Sequence, residues 1–298
     1  MSEEIGRRAF VGRTVAVGAI WGMRNLCGAT PQTLRIGVVS DAAAGSTAVI
    51  LGARLGADEA SRGAALFGAG PVELTVGSLE EVLAGDVAAL LAAKASMADC
   101  LRLANVAAER GKLFVNTTCA EDALRGDDCR ASAFHVAPSR SMLRDALDEA
   151  RRHAAVPLPS DATATAWDAS LERFGADTLN NRFLARFKAP MSADAWCAWF
   201  AVKVLAEASL RTRSVDTRAI ASYLRGSTAQ FDGHKGRPLS FRAWDNQLRQ
   251  PVYVIGTVDG ARRLLAESPV SASASATSRE VLDGIGTTAT STTCRFVP

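Results

Sequence analysis

Between residues 34 and 152 the sequence alternates short apolar runs with longer stretches of helical periodicity, and this restricts the chain to few architectures. Residues 34–40, LRIGVVS, read as a strand that ends at Asp41. The loop 41–47, DAAAGST, leads into a helical stretch through Ala65. Residues 72–76, 113–116 and 134–136 are further strand candidates, and 86–92 reads equally well as strand or helix because it is rich in Ala and Leu. Residues 97–110 form a helix with Leu101, Ala104, Ala107 and Ala108 on one face, and Ser139 caps a helix over 142–152. Strand–helix alternation of this kind predicts an α/β fold, a parallel sheet flanked by helices on both faces.

The 298 residues exceed one typical domain. An apolar fraction of 48% with 22% charged residues is that of a globular protein, and a net charge of +3 carries no nucleic-acid footprint. No apolar run approaches the ~18 residues of a membrane span, so the chain is read as not membrane-spanning. Arg7-Arg8-Ala9-Phe10-Val11 matches the core of a twin-arginine export signal; a weakly apolar stretch follows over 15–21, and Cys27-Gly28-Ala29 offers small residues for cleavage. Gly6 stands where Ser or Thr is usual. The expectation is an export signal over 1–29 and a periplasmic protein.

Six cysteines (Cys27, Cys100, Cys119, Cys129, Cys197, Cys294) and three histidines (His135, His153, His234) show no metal-ligand spacing. In an oxidising compartment Cys129 has two candidate partners, Cys119 and Cys294. Cys100 and Cys197 lie in helical patterns and read as buried thiols.

Beyond Arg152 a Pro, Ala and Thr linker over 154–166 contains no strand pattern. Helices are expected over 167–188, 193–208 and 216–225. Trp196 and Trp199 are placed in the core rather than on a ligand platform. Residues 231–251, FDGHKGRPLSFRAWDNQLRQP, carry Lys235, Arg237, Arg242 and Arg249 with Trp244, and read as two short strands around an Asp245-Asn246 turn. Two accounts of these cations stand together. Arg242 and Arg249 could grip an anionic ligand while Trp244 stacks on it; alternatively Arg242, Asp245, Arg249 and Asp232 pair to fix the hairpin. Residues 271–278 are a Ser and Ala run.

Residues 231–254 resemble the C-terminal part of type I periplasmic solute-binding proteins, with one extra residue between Gly236 and Phe241. They are most similar to the subgroup associated with pyrroloquinoline-quinone-dependent alcohol dehydrogenase systems. Residues 34–41, 55–68, 113–147, 166–208 and 280–298 carry the same resemblance. It implies a type I periplasmic-binding fold whose strand-end loops face a cleft, and nominates Asp41, Gly45, Ser46, Asn116 and Thr117 as ligand-binding. The linker is too short for a full second lobe, which needs on the order of two βαβ units of about 30 residues each. The expected organisation is a main lobe over 33–153 plus 167–226, reduced second-lobe strands over 227–266 and a flexible tail over 267–298.

No nucleophile elbow, dinucleotide-binding glycine motif or phosphate loop is present, and no cofactor or catalytic residue is expected. The resemblance implies a binding component of an ABC-type uptake system that takes a small organic ligand, with pyrroloquinoline quinone a candidate, and that meets an ABC permease. The competing expectation is an accessory protein that contacts alcohol dehydrogenase subunits and has lost ligand capture.

Overall fold

The computed structural model describes residues 31–40, 47–93, 95–270 and 277–296. The export-signal reading and Asp41, Gly45 and Ser46 lie outside them. Five parallel strands, β1 (Leu34–Val39), β2 (Val72–Gly77), β3 (Ala89–Ala92), β4 (Leu113–Asn116) and β5 (Ala133–His135), form a sheet in the order β2-β1-β3-β4-β5. Parallel strands covered on both faces are apolar throughout rather than alternating, which is why β3 reads ambiguously in the sequence. Its residues divide between two cores. Ala89 and Leu91 join Ile36, Val38 and Val115 on one face; Leu90 and Ala92 join Val82, Leu103 and Phe114 on the other.

The first face is covered by α1 (Thr47–Leu66), α6 (Ala193–Thr212) and α7 (Thr217–Arg225). The second is covered by α2 (Leu79–Ala84) and α3 (Met97–Glu109), each opened by a capping box at Ser78 or Ser96. Two glycines set spacing. A Cβ on Gly37 would lie 2.0 Å from a Val82 methyl, and one on Gly52 would lie 2.0 Å from the Ala195 carbonyl oxygen, so α1 and α6 touch backbone to backbone.

Helix α4 (Arg140–His153), with Ser139 accepting from the Met142 amide, packs on a second, antiparallel sheet. That sheet contains β6 (Thr163–Thr165), β9 (Val252–Val258) and β10 (Ala261–Ser268) in the order β10-β9-β6. Strand β6 corrects the expectation that the linker holds no strand. It pairs with β9 through Thr163 opposite Ile255, and its short, half-exposed Thr-Ala-Thr leaves no apolar signal.

The expected helix over 167–188 begins nine residues late, as α5 (Ala176–Phe187). Asp168 accepts from the Ser170 amide, closing a turn instead of a helix. Phe174 and Gly175 then adopt φ of +58° and +82°, which no helix permits. Asn180 holds the displaced loop by donating to Ala169 and Leu171 carbonyls and accepting from the Trp167 indole.

The basic segment forms a two-stranded hairpin, β7 (Ser240–Phe241) and β8 (Leu248–Arg249). It lies at the free edge of β5, where Gln247 pairs with His135. Last in the chain comes α8 (Ser278–Leu282), capped by Thr277. Among the described residues Cys129 and Cys294 form a disulfide, and Cys100, Cys119 and Cys197 are buried free thiols.

Candidate functional site

The C-terminal ends of parallel strands are where α/β sheets present loops to ligands. Here that edge is a buried polar network. Asn116 ends β4, and its amide nitrogen donates to the Cys119 carbonyl at 2.7 Å and meets His135 Nδ1 at 3.2 Å. Its amide oxygen accepts from the backbone of Thr118 and Cys119. Thr117 Oγ1 donates to the Ala92 carbonyl at 3.2 Å, tying β4 to the end of β3.

Arg125 is the centre of this network, and sequence reasoning missed it. From the 3-10 turn Asp122–Arg125 its Nε donates to Gln247 Oε1 at 2.7 Å. Its two terminal nitrogens reach the carbonyls of Cys119, Glu121 and Ala137. Gln247 in turn donates to the His135 and Ala137 carbonyls. One guanidinium and one amide therefore lock the loops after β4 and β5 to the hairpin. Burial lowers Arg125 to about 10, which leaves it charged at neutral pH. Burial first, and then the Arg125 charge, holds His135 well below its ordinary value and therefore neutral, against a weaker pull from the Leu124 backbone. The signal for Arg125 and Gln247 was faint: a polar residue has no visible partner until the register of the hairpin is known.

Lys235, one of the cations singled out in residues 231–251, neither faces outward nor, among the described residues, pairs with an acid. Its ammonium is fully buried and donates to the Ala166 carbonyl at 2.6 Å, Gln250 Oε1 at 2.8 Å and the Pro251 carbonyl at 2.9 Å. The Trp196 and Tyr253 rings flank it at 4.1 and 5.0 Å. Gln250 completes the link by donating to the Val136 carbonyl at 2.6 Å. Trp196 itself stacks between Trp167 and Phe200 and donates to the Gly233 carbonyl, the core role expected of it.

Arg242, Trp244 and Arg249 come together at the outer side of the hairpin. Both guanidiniums reach one acid, Asp283 Oδ1, at 3.1 and 2.8 Å, and lie 5.5 and 5.1 Å from the Trp244 ring centroid. Pairing within the hairpin is met in part: Asp245 Oδ2 forms a buried ion pair with Arg242 at 4.0 Å, whereas Asp232 accepts from the His234 amide and the closest acid to both arginines, Asp283, comes from the tail. The side-chain hydrogen bonds of Asn116 and Thr117 run to Cys119, His135, Thr118 and Ala92 rather than to this trio.

Two hollows open on the surface. One, of about 450 Å³, lies between α3, α7 and the starts of β4 and β5, with Lys112, Arg218 and Arg225 on its walls; the other, of about 430 Å³, is lined by Phe174, Phe231, Asp232 and Arg237 among others. Neither is lined by Asn116, Thr117, Arg242, Trp244 or Arg249. Among the described residues no group of three His, Cys, Asp or Glu side chains is placed to hold a metal, and no helix is long and apolar enough to cross a membrane.

No protein-family model matches the chain, and no curated protein matches its sequence. Solved structures do match in fold. A periplasmic binding protein from Burkholderia mallei superposes with a TM-score of 0.67 at 13% identity, over 88% of this chain and 98% of that one. A leucine-, isoleucine-, valine-, threonine- and alanine-binding protein from Brucella ovis, in its closed conformation, gives 0.67 at 10% identity over 85% and 97%. A branched chain amino acid ABC transporter periplasmic ligand-binding protein from Burkholderia xenovorans gives 0.63 at 13% over 79% and 94%. The fold is that of type I periplasmic binding proteins, an α/β parallel sheet flanked by helices.

Proposed function

We propose that the protein is a periplasmic solute-binding component of an ABC-type uptake system that binds a small organic ligand without chemistry. The observation that supports this reading is the fold. The β2-β1-β3-β4-β5 parallel sheet belongs to a likeness that spans nearly the whole length of solved binding proteins. In this reading the strand-end loops, with Asp41, Gly45, Ser46, Asn116 and Thr117, face the ligand. The Cys129–Cys294 disulfide suits an oxidising compartment. The resemblance of residues 231–254 to proteins of pyrroloquinoline-quinone-dependent alcohol oxidation makes that quinone, an alcohol or an acid product the ligand to test first. In this reading residues 227–266 supply the strands of a reduced second lobe.

One observation favours a second reading, an accessory protein of the alcohol dehydrogenase system that has given up ligand capture. Asn116, Thr117, Arg242 and Arg249 are all buried and hydrogen-bonded within the protein, and neither hollow described above involves them.

A titration of the purified protein with pyrroloquinoline quinone and a panel of alcohols and carboxylic acids, followed by thermal melting, separates the two. A bound ligand raises the melting temperature as its concentration passes the dissociation constant. No shift with any member of the panel sinks the solute-binding reading, and recovery of a dehydrogenase subunit on the immobilised protein then supports the accessory one.

A further inference from the structure

Each of the four hydrogen bonds from the Arg242 guanidinium runs to one stretch of the tail. Nε donates to Asp283 Oδ1 at 3.1 Å and Nη1 to the Thr287 carbonyl at 3.1 Å. Nη2 donates to the Leu282 carbonyl at 3.1 Å and to the Ile285 carbonyl at 2.7 Å. Arg249 adds its Nε to the same Asp283 oxygen and donates Nη1 to the Phe241 carbonyl at 2.7 Å. Arg242 is 1% exposed and Arg249 6%, so what buries them from outside is the tail. The tail is fastened by Cys294 to Cys129, by Arg279 to the Ala229 carbonyl, and by the Gly286 amide to Asp145.

Two guanidiniums converging on one carboxylate beside an indole are the donor set that recognises an organic acid. Charge fixes the class further. Arg242 and Arg249 are balanced by Asp283 and by Asp245, whose Oδ2 is buried, lies 4.0 Å from Arg242 and accepts no hydrogen bond. Without Asp283 the two guanidiniums keep only Asp245 beside them, an acid whose charged form burial disfavours, so the cluster is left with excess positive charge that an added carboxylate offsets.

We propose that Arg242, Arg249 and Trp244 form a carboxylate-binding site that the protein's own tail occupies, with Asp283 as the internal ligand. Tail release or loss of Asp283 opens the site to a small carboxylic acid. The proposal does not depend on the solute-binding reading above, since it concerns the hairpin and tail rather than the strand-end loops.

The test is chemical rescue. Asp283→Ala removes the internal carboxylate and leaves the disulfide in place. Its melting temperature is expected to fall below that of the unaltered protein. Sodium acetate, compared with sodium chloride at equal ionic strength, is expected to return about 2–4 °C of the loss. The unaltered protein and Asp283→Asn, whose amide still fills the space, should show no acetate response, and Asp283→Ala with Arg249→Gln should lose it. A tail-released form, Cys129→Ser with Cys294→Ser and Asp283→Ala, gives a second measurement by calorimetric titration with acetate. Absence of a response in both forms, or an equal response in the unaltered protein, overturns the proposal and leaves the arginines as a clamp for the tail.

Discussion

Replacing Lys235 by methionine keeps the length and apolar stem of the side chain and removes its charge and its three donors. The Ala166 and Pro251 carbonyls and the Gln250 amide oxygen each lose a partner in a site closed to bulk solvent. A buried acceptor left alone costs about 1–3 kcal/mol. Against that, the ammonium is costly to bury. Its pKa falls from the ordinary 10.5 to about 7, with burial as the leading cause, and holding the charge there corresponds to roughly 5 kcal/mol. The Trp196 and Tyr253 faces and the three acceptors offset much of that cost. The balance is a net loss of about 2–4 kcal/mol for Lys235→Met, since removing one side of a buried polar set costs more than the set contributes. For a chain of this size that is a fall of about 3–7 °C in melting temperature. The pH dependence carries a sign. Below about 7 Lys235 is charged both folded and unfolded, whereas between about 7 and 10.5 the folded state binds fewer protons, so the stability of the unaltered protein rises with pH across that window. The methionine variant lacks this rise, so its deficit is larger at pH 9 than at pH 6. Urea unfolding at the two pH values measures it. A variant within a degree of the unaltered protein at both, or a deficit larger at pH 6, refutes the reasoning.

Two further variants test the frame. Cys129→Ser with Cys294→Ser opens a closure spanning 165 residues, worth up to about 5 kcal/mol on the chain-entropy account. Because the tail can detach without the body, the measured loss of global stability should fall short of that, and hydrogen exchange should show residues 277–296 losing protection first; a tail as protected as before would contradict it. Gly52→Ala drives a methyl against the Ala195 carbonyl and should cost about 1–3 kcal/mol in urea unfolding, with a neutral effect arguing against the direct α1–α6 backbone contact.

What the sequence disclosed and what it concealed divide along chain distance. Strands β1, β2 and β4 and the caps at Ser139 and Asp216 are local events, and the residues that make them lie within a few positions of one another. Strand β6 is three residues long and exists because Thr163 faces Ile255 far along the chain. The periodic apolar residues from Trp167 imitate a helix, but Trp167 and Leu171 are buried from a loop that Asn180 organises. The positions of Asn116 and Thr117 at a strand end were legible for the same local reason. Their network was not, because Arg125 and Gln247 are 122 residues apart in sequence. Of the two partners open to Cys129, the choice of Cys294 over Cys119 depends on where the tail returns, and nothing local encodes that.

The long reach of these contacts also orders the assembly of the molecule. During synthesis the β1–β5 sheet can form as soon as its own residues have emerged, since each of its strands pairs with one made shortly before or after. Helix α4 must then wait with Met142 and Ala146 uncovered, and β6 unpaired, for β9 and β10 to arrive. The final twenty described residues close over the hairpin only once everything else is in place. A chain cut short before residue 252 would therefore present α4 and β6 unpaired, an adhesive surface of the kind that chaperones and proteases recognise.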